Sequence, residues 1–242
     1  MARLRQIAPE VWHLHGELMK FPGGLRLPSA STVVRLADRQ LLLYSPIAID
    51  DAAVAALAAE GDVTHIVAPS MIHHLWATAA AERYPRATLY ATPGLAAKVP
   101  ALAAARELAD GSASTIDASL DSVLVGGAPK LNETVLFHRP SGVLMCADLL
   151  FNVTTHATFM SKVILSMTGT GGKALAQSRM WKLGVKDRVA ARASIDRVLA
   201  WPVAYVAPCH GEPVAVDATA LAAKMSRIYG GTVSARGVGQ AA

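Results

Sequence analysis

Cysteine is nearly absent: the 242 residues hold two, Cys146 and Cys209. They form no C-x-x-C pair and no disulfide framework, which excludes thiol-rich zinc modules and small cross-linked secreted scaffolds. Aromatic residues are scarce at 5%, against 52% hydrophobic residues overall. The interior must therefore be packed from Ala, Val and Leu between layers, with few large anchors. Every long apolar run is interrupted by charge, and a spanning helix needs about 20 apolar residues, so no membrane span is expected. The start, MARLRQIAPEVWHLHG, has no apolar core before Pro9, so no signal peptide is expected and the cytoplasm is the expected compartment. No G-x-G-x-x-G follows a strand-like run and no G-x-x-x-x-G-K-[ST] occurs. The pairs Gly23-Gly24, Gly126-Gly127 and Gly171-Gly172 lack those spacings, so a nucleotide-binding reading has little support.

What charge there is leans positive, with a net +5 and a pI of about 9.4. The densest cluster is Arg179, Lys182, Lys186, Arg188 and Arg192. It is not a polybasic run, and no aromatic stripe accompanies it, so neither nucleic acid nor a membrane is an expected partner. A solvated helix face is the plain reading. A local field that draws an anionic small-molecule substrate is the sharper one.

Along the chain, β-rich runs alternate with helical ones. Strands are expected at Glu10–His15, Ser31–Leu36, Leu41–Tyr44, His65–Ala68, Thr88–Ala91, Val123–Val125, Thr134–His138, Val143–Cys146 and Val203–Ala207. Helices are expected from Asp50 or Asp51 through Ala59, at His74–Tyr84, at Leu95–Leu108 interrupted by Pro100, at Ala190–Leu199 and at Asp217–Ile228. Asp is a usual helix cap. Residues 151–190 break this rhythm with Gly-rich turns and Met-containing helical pieces, and read as an inserted helical flap. A single domain over residues 1–229 is expected, followed by a flexible tail at 230–242. Strand–helix units with hairpins in each half suggest helix, sheet, sheet and helix stacked in layers.

Three segments share one grammar: an apolar strand ends and a potential metal ligand follows. They are Ile66–Trp76 with His73 and His74, Gly142–Phe151 with Asp148, and Val203–Gly211 with His210. In layered α/β folds ligands gather at the C-terminal edge of the strands. Each histidine has a plainer reading too. His13 and His15 share a strand face and read as structural or surface residues, while His65 and His138 sit at strand ends. His156 lies in the flap, where it could touch substrate. Cys146 and Cys209 read as core packing, with a thiolate ligand or redox role as the alternative.

The order of these segments resembles the metallo-β-lactamase superfamily, from about Val11 to His210. Members carry His-x-His-x-Asp-His, then Gly-His-Thr, Gly-Asp and His-Gly. Here Pro69, Met71, His73 and His74 stand in the first motif, Asn132-Glu133-Thr134 in the second, Ala147-Asp148 in the third and His210-Gly211 in the fourth. Ser-Pro near residue 45, the His-His pair and the Phe-Asn after Asp148 also resemble an uncharacterised branch of that superfamily. The resemblance implies a four-layer αββα sandwich. It implies that one metal site, now Pro69, Met71 and Glu133, is lost, since proline offers no side-chain ligand and a thioether suits hard divalent ions poorly. It implies that the second survives as His73, His74, Asp148 and His210 around one divalent ion, with zinc first and iron or manganese as alternatives. Asp148 would hold the ion, and Glu133 would act as general base or fifth ligand.

The function expected from this is a metal-dependent hydrolase of a small molecule, though not an ordinary β-lactamase. A non-catalytic or metal-free binding protein is the alternative, and an iron-dependent oxidoreductase the second. The apolar, Met-rich flap (Met160, Met167, Met180, Trp181) would serve a homodimer contact as well as a pocket wall.

Overall fold

The computed structural model describes residues 3–172 and 175–226. The expected tail at 230–242, and the last residues of the expected helix ending at Ile228, lie outside the described residues. In chain order the first sheet takes β1 (Arg3–Ala8), β2 (Val11–His15), β5 (Ala30–Arg35), β6 (Gln40–Tyr44), β7 (Asp62–Ala68), β8 (Thr88–Ala91) and β9 (Arg106–Glu107). The short strands β3 (Met19–Lys20) and β4 (Arg26–Leu27) pair as a separate hairpin. The second sheet takes β10 (Leu120–Leu124), β11 (Thr134–His138), β12 (Val143–Cys146), β13 (Tyr205–Pro208) and β14 (Val214–Ala215). Helices α1 (Asp51–Glu60), α2 (Ala77–Arg83) and α3 (Leu95–Lys98) belong to the first half. Helices α4 (Phe159–Thr168), α5 (Arg179–Gly184), α6 (Arg188–Leu199) and α7 (Ala218–Met225) belong to the second.

Alternation along the strands decides the layers, because successive side chains face opposite sides of a sheet. On β6, Leu41 and Leu43 pack with Ala53 and Leu57 of α1 and Ala80 of α2. Leu42 and Tyr44 face the other way and meet Leu136, Val143, Met145 and Ala207 of the second sheet. That sheet repeats the arrangement: Phe137, Leu144 and Val206 pack under Ile195 and Val198 of α6 and Leu221 and Met225 of α7. The order is helix, sheet, sheet, helix. Asp50 caps α1 by accepting from Ala53 N at 2.8 Å, and Asp187 and Asp217 cap α6 and α7 in the same way. Each cap satisfies N–H groups that the first turn leaves without partners.

The helix expected over Leu95–Leu108 is four residues of α3, a 3-10 turn at Pro100–Leu102 and the strand β9. Pro100 forces the preceding Val99 into extended backbone (φ −123°, ψ 95°). The helix expected from His74 begins only at Ala77. Residues 69–76 are irregular, and Ser70 Oγ accepts from His73 N at 3.1 Å. β1 was not legible in the sequence. Its residues are half-buried or exposed, because it is an edge strand paired on one side only, with β2.

Candidate metal centre

Two parallel pairs, β6–β7 and β12–β13, end on one edge of the sandwich. His73 lies five residues past β7, while Asp148 and His210 each lie two residues past β12 and β13. These three side chains converge, with one ligand atom from each within 4.8 Å of the others. His73 Nε2 lies 3.1 Å from Asp148 Oδ2 and 3.2 Å from His210 Nε2, and His210 Nε2 lies 3.6 Å from Asp148 Oδ1.

The surroundings fix how each group presents itself. His210 Nδ1 is 2.8 Å from the carbonyl oxygen of Pro28. A carbonyl only accepts, so Nδ1 carries the proton and Nε2 turns a lone pair into the cluster. That is the tautomer a metal-ligating imidazole needs, held by a backbone partner behind it. His73 Nδ1 contacts Ser45 Oγ at 2.9 Å. Phe151 stacks on the His210 ring, with centroids 5.2 Å apart and planes 17° apart. Asn152 clamps the loop after His210: its N donates to His210 O, and its Nδ2 donates to Glu212 O at 2.7 Å.

Burial and charge set the protonation states. Burial lowers the His210 pKa to about 4, reinforced by the charge on His73. Burial pulls His73 down too, but the adjoining Asp148 carboxylate outweighs it and raises the imidazole well above its usual value. Burial raises Asp148, while His73 overcomes this and holds it below the usual carboxylate range. Asp148 Oδ2 is buried and makes no hydrogen bond of good geometry, its close contact being the ion pair with His73 Nε2 at 3.1 Å. A buried carboxylate needs such pairing, and a cation held by the same three groups would complete it. Two imidazoles and a carboxylate are a competent donor set for zinc, and for iron(II) or manganese.

His74 does not join this cluster. It lines the mouth of a cleft with about 40 Å³ of free volume, beside Ile72, Leu75 and Trp76. Burial and the nearby charge of Lys98 lower its pKa. The turn after Pro69 aims only the first of the two neighbouring histidines inward. Glu133 also stands apart. It is fully buried, and its carboxylate accepts from Ala147 N at 2.7 Å, Asp148 N at 3.0 Å and Trp181 Nε1 at 3.4 Å. Burial, then the charge of Asp148, raises its pKa to about 7. Its place is behind Asp148, holding that residue's backbone. Pro69 and Met71 are likewise bound by their backbones, with Thr134 N donating to Pro69 O and Met71 N donating to Leu131 O.

Ser45 is a site residue that the sequence marks only through the Ser-Pro step. Its left-handed backbone (φ 56°) is the signal that sequence does not carry. Cys209 lines the cleft beside His73, while Cys146 is fully buried in the second sheet's core.

Residues 24–168 match the model of a family described as a domain of unknown function, DUF4336. The chain belongs to the DUF4336 family. No curated protein matches this DUF4336 chain. Solved structures match its fold over nearly its whole length. A metallo-β-lactamase from Pontibacter korlensis superposes with a TM-score of 0.65 at 14% identity, over 96% of this chain and 100% of that one. FIM-1, a metallo-β-lactamase from Pseudomonas aeruginosa solved in its mono-zinc form, gives 0.61 at 16%, over 93% and 94%. The metal-soaked flavodiiron core of Flv1 from Synechocystis gives 0.66 at 13%, over 94% of this chain and 60% of that one. The DUF4336 chain has the metallo-β-lactamase fold, with a three-residue candidate site that differs from the superfamily motif.

Proposed function

We propose that this protein is a metal-dependent hydrolase that works with one divalent ion, zinc first, on a small-molecule substrate. The observation that carries the reading is the convergence of His73, Asp148 and His210, with Asp148 buried and its Oδ2 engaged only by the ion pair to His73. Three protein ligands leave an open position, which is the pattern of catalytic rather than structural zinc. A bound ion would polarise a carbonyl or phosphoryl group and bring the pKa of its water toward about 7. The chain's own residues do the rest. Pro28 and Ser45 aim the two imidazoles, and Glu133 holds the Asp148 backbone. The mouth offers Met19, Ile72, Leu75 and Trp76 to the apolar part of a substrate.

A second reading rests on the same contacts. His73 and Asp148 already form an ion pair at 3.1 Å, and His210 can accept from His73. Such a network is stable without an ion when its members satisfy one another, and would suit a binding protein. Elemental analysis of protein purified without a metal-binding tag separates the two. About one equivalent of zinc, lost in His210→Ala, supports the hydrolase, whereas iron in its place supports oxygen or redox chemistry on the same ligands. No metal after supplementation with zinc, iron and manganese refutes both and leaves the binding protein.

A further inference from the structure

Of the chain's 23 Lys and Arg, six lie in the flap, residues 151–190; of its 18 Asp and Glu, only Asp187 does. That segment carries a net +5, and the rest of the chain none. The one acid there is engaged, since its carboxylate caps α6. All of the protein's excess positive charge therefore sits on the flap.

The same flap exposes apolar side chains. On α4, Ser161 and Leu165 face the protein. Phe159, Val163 and Met167 are four residues apart and share the opposite stripe, so this helix turns its apolar face outward. Phe159 is 76% exposed and Met167 69%. On α5, Trp181 is buried, while Met180 and Leu183, three residues apart, are 63% and 72% exposed. Lys162, Lys182 and Lys186 are exposed around them. A solvated helix face reverses this pattern, with polar residues outward.

We infer that the α4–α5 flap docks on an anionic lipid surface. An exposed apolar stripe ringed by lysines is what an interfacial helix presents, its apolar side entering the headgroup layer and its cations meeting lipid charge. No described helix is long and apolar enough to cross a membrane, so the contact is peripheral. This departs from the expectation of no membrane partner, which rested on the absence of a polybasic run and of a spanning helix. A second copy of the chain is a poor occupant, because two flaps of +5 repel. Nucleic acid is a poor one too, because Phe159 is the flap's one large exposed ring among the described residues, and bases need stacking partners.

The placement ties docking to the cleft. Ser161 Oγ accepts from Arg26 N at 2.8 Å, and Thr158 Oγ1 donates to Gly24 O, so α4 is strapped to the β3–β4 hairpin. That hairpin carries Met19 of the cleft wall and the exposed Leu18 and Phe21. A docked flap would set the cleft mouth beside the lipid.

The test is flotation of the full chain with vesicles of phosphatidylcholine alone and with about a third phosphatidylglycerol, at low and high salt. Circular dichroism would confirm that each variant is folded. Binding is expected to the anionic vesicles only. It is expected to weaken about tenfold or more in Lys182→Glu/Lys186→Glu, in Phe159→Ser/Met167→Ser, and at high salt. Absence of vesicle binding overturns the inference. So does preference for an oligonucleotide over the vesicles, or a self-association that Phe159→Ser/Met167→Ser removes in their absence. None of these results depends on metal or on hydrolysis.

Discussion

Replacing Gly211 by alanine tests whether the loop behind His210 is held by backbone fit. Gly211 has φ 105°, a region that L residues rarely enter. A Cβ there would lie 2.1 Å from Asn152 O and 2.3 Å from Asn152 C. Both are backbone atoms of the bridge that pairs Asn152 with Gly211, so neither can swing aside. Gly94 supplies the control: its φ of 79° is also left-handed, but a Cβ there meets nothing within 4 Å. Gly94→Ala should cost only the backbone term, about 1 kcal/mol. Gly211→Ala adds overpacking of about 1–3 kcal/mol and should total roughly 3 kcal/mol. Urea unfolding of the two variants against wild type gives the difference. If the proposed metal site holds, bound metal per chain then shows whether His210 has moved, with loss expected in Gly211→Ala and not in Gly94→Ala. Equal destabilisation by the two would refute the argument.

Three further outcomes are expected. His13 is fully buried, and desolvation lowers its pKa to about 3 from 6.5. Below pH 6.5 the unfolded chain takes up a proton that the folded chain refuses, so His13 lowers stability by about 1.4 kcal/mol for each pH unit of acidification. Denaturant unfolding of His13→Gln at pH 7, 6 and 5 should show that slope removed, and lines parallel to wild type would contradict the assignment. Glu133→Ala leaves the N–H groups of Ala147, Asp148 and Trp181 without their acceptor. At about 1–3 kcal/mol for each buried group left unpaired, thermal unfolding should show a loss of at least about 3 kcal/mol. A loss below about 1 kcal/mol would mean that water replaces the carboxylate. Ser45→Ala removes the partner of His73 Nδ1 and, on the proposed metal-binding reading, should weaken zinc binding about tenfold by competition titration, with little change in stability. Unchanged affinity would show that Ser45 does not orient His73.

The layers were legible because apolar residues on β6, β7 and β12 run to strand ends, and turn residues separate them. The edge strand β1 was not, because it buries little. At the site, His73, Asp148 and His210 were legible as ligand types that follow strands. Which of two neighbouring histidines turns inward was not, because the turn at residues 69–73 decides it through Ser70 Oγ and the backbone of Leu131 and Thr134. Glu133 reads as an acid or ligand from its position in the motif, yet backbone N–H groups 14 and 15 residues further along the chain claim its carboxylate. The Ser-Pro and Phe-Asn steps, which carried only a likeness to a branch of the superfamily, prove to be contacts of the site: Ser45 on His73, Phe151 on His210 and Asn152 on the loop that follows.

The pairing of β12 with β13 sets when the site can exist during synthesis. Val143 pairs with Tyr205, and the whole flap, α5 and α6 lie between them in the chain. A nascent chain that has released the entire first sheet, and Asp148 as well, still lacks the strand that delivers His210. Closing so long a loop is slow, because its entropy is lost before its contacts form. An ion that needs both Asp148 and His210 therefore cannot nucleate the fold. It can only lock a sandwich that has already closed, and a chain stalled before Tyr205 would leave the ribosome with its Asp148 carboxylate open to water.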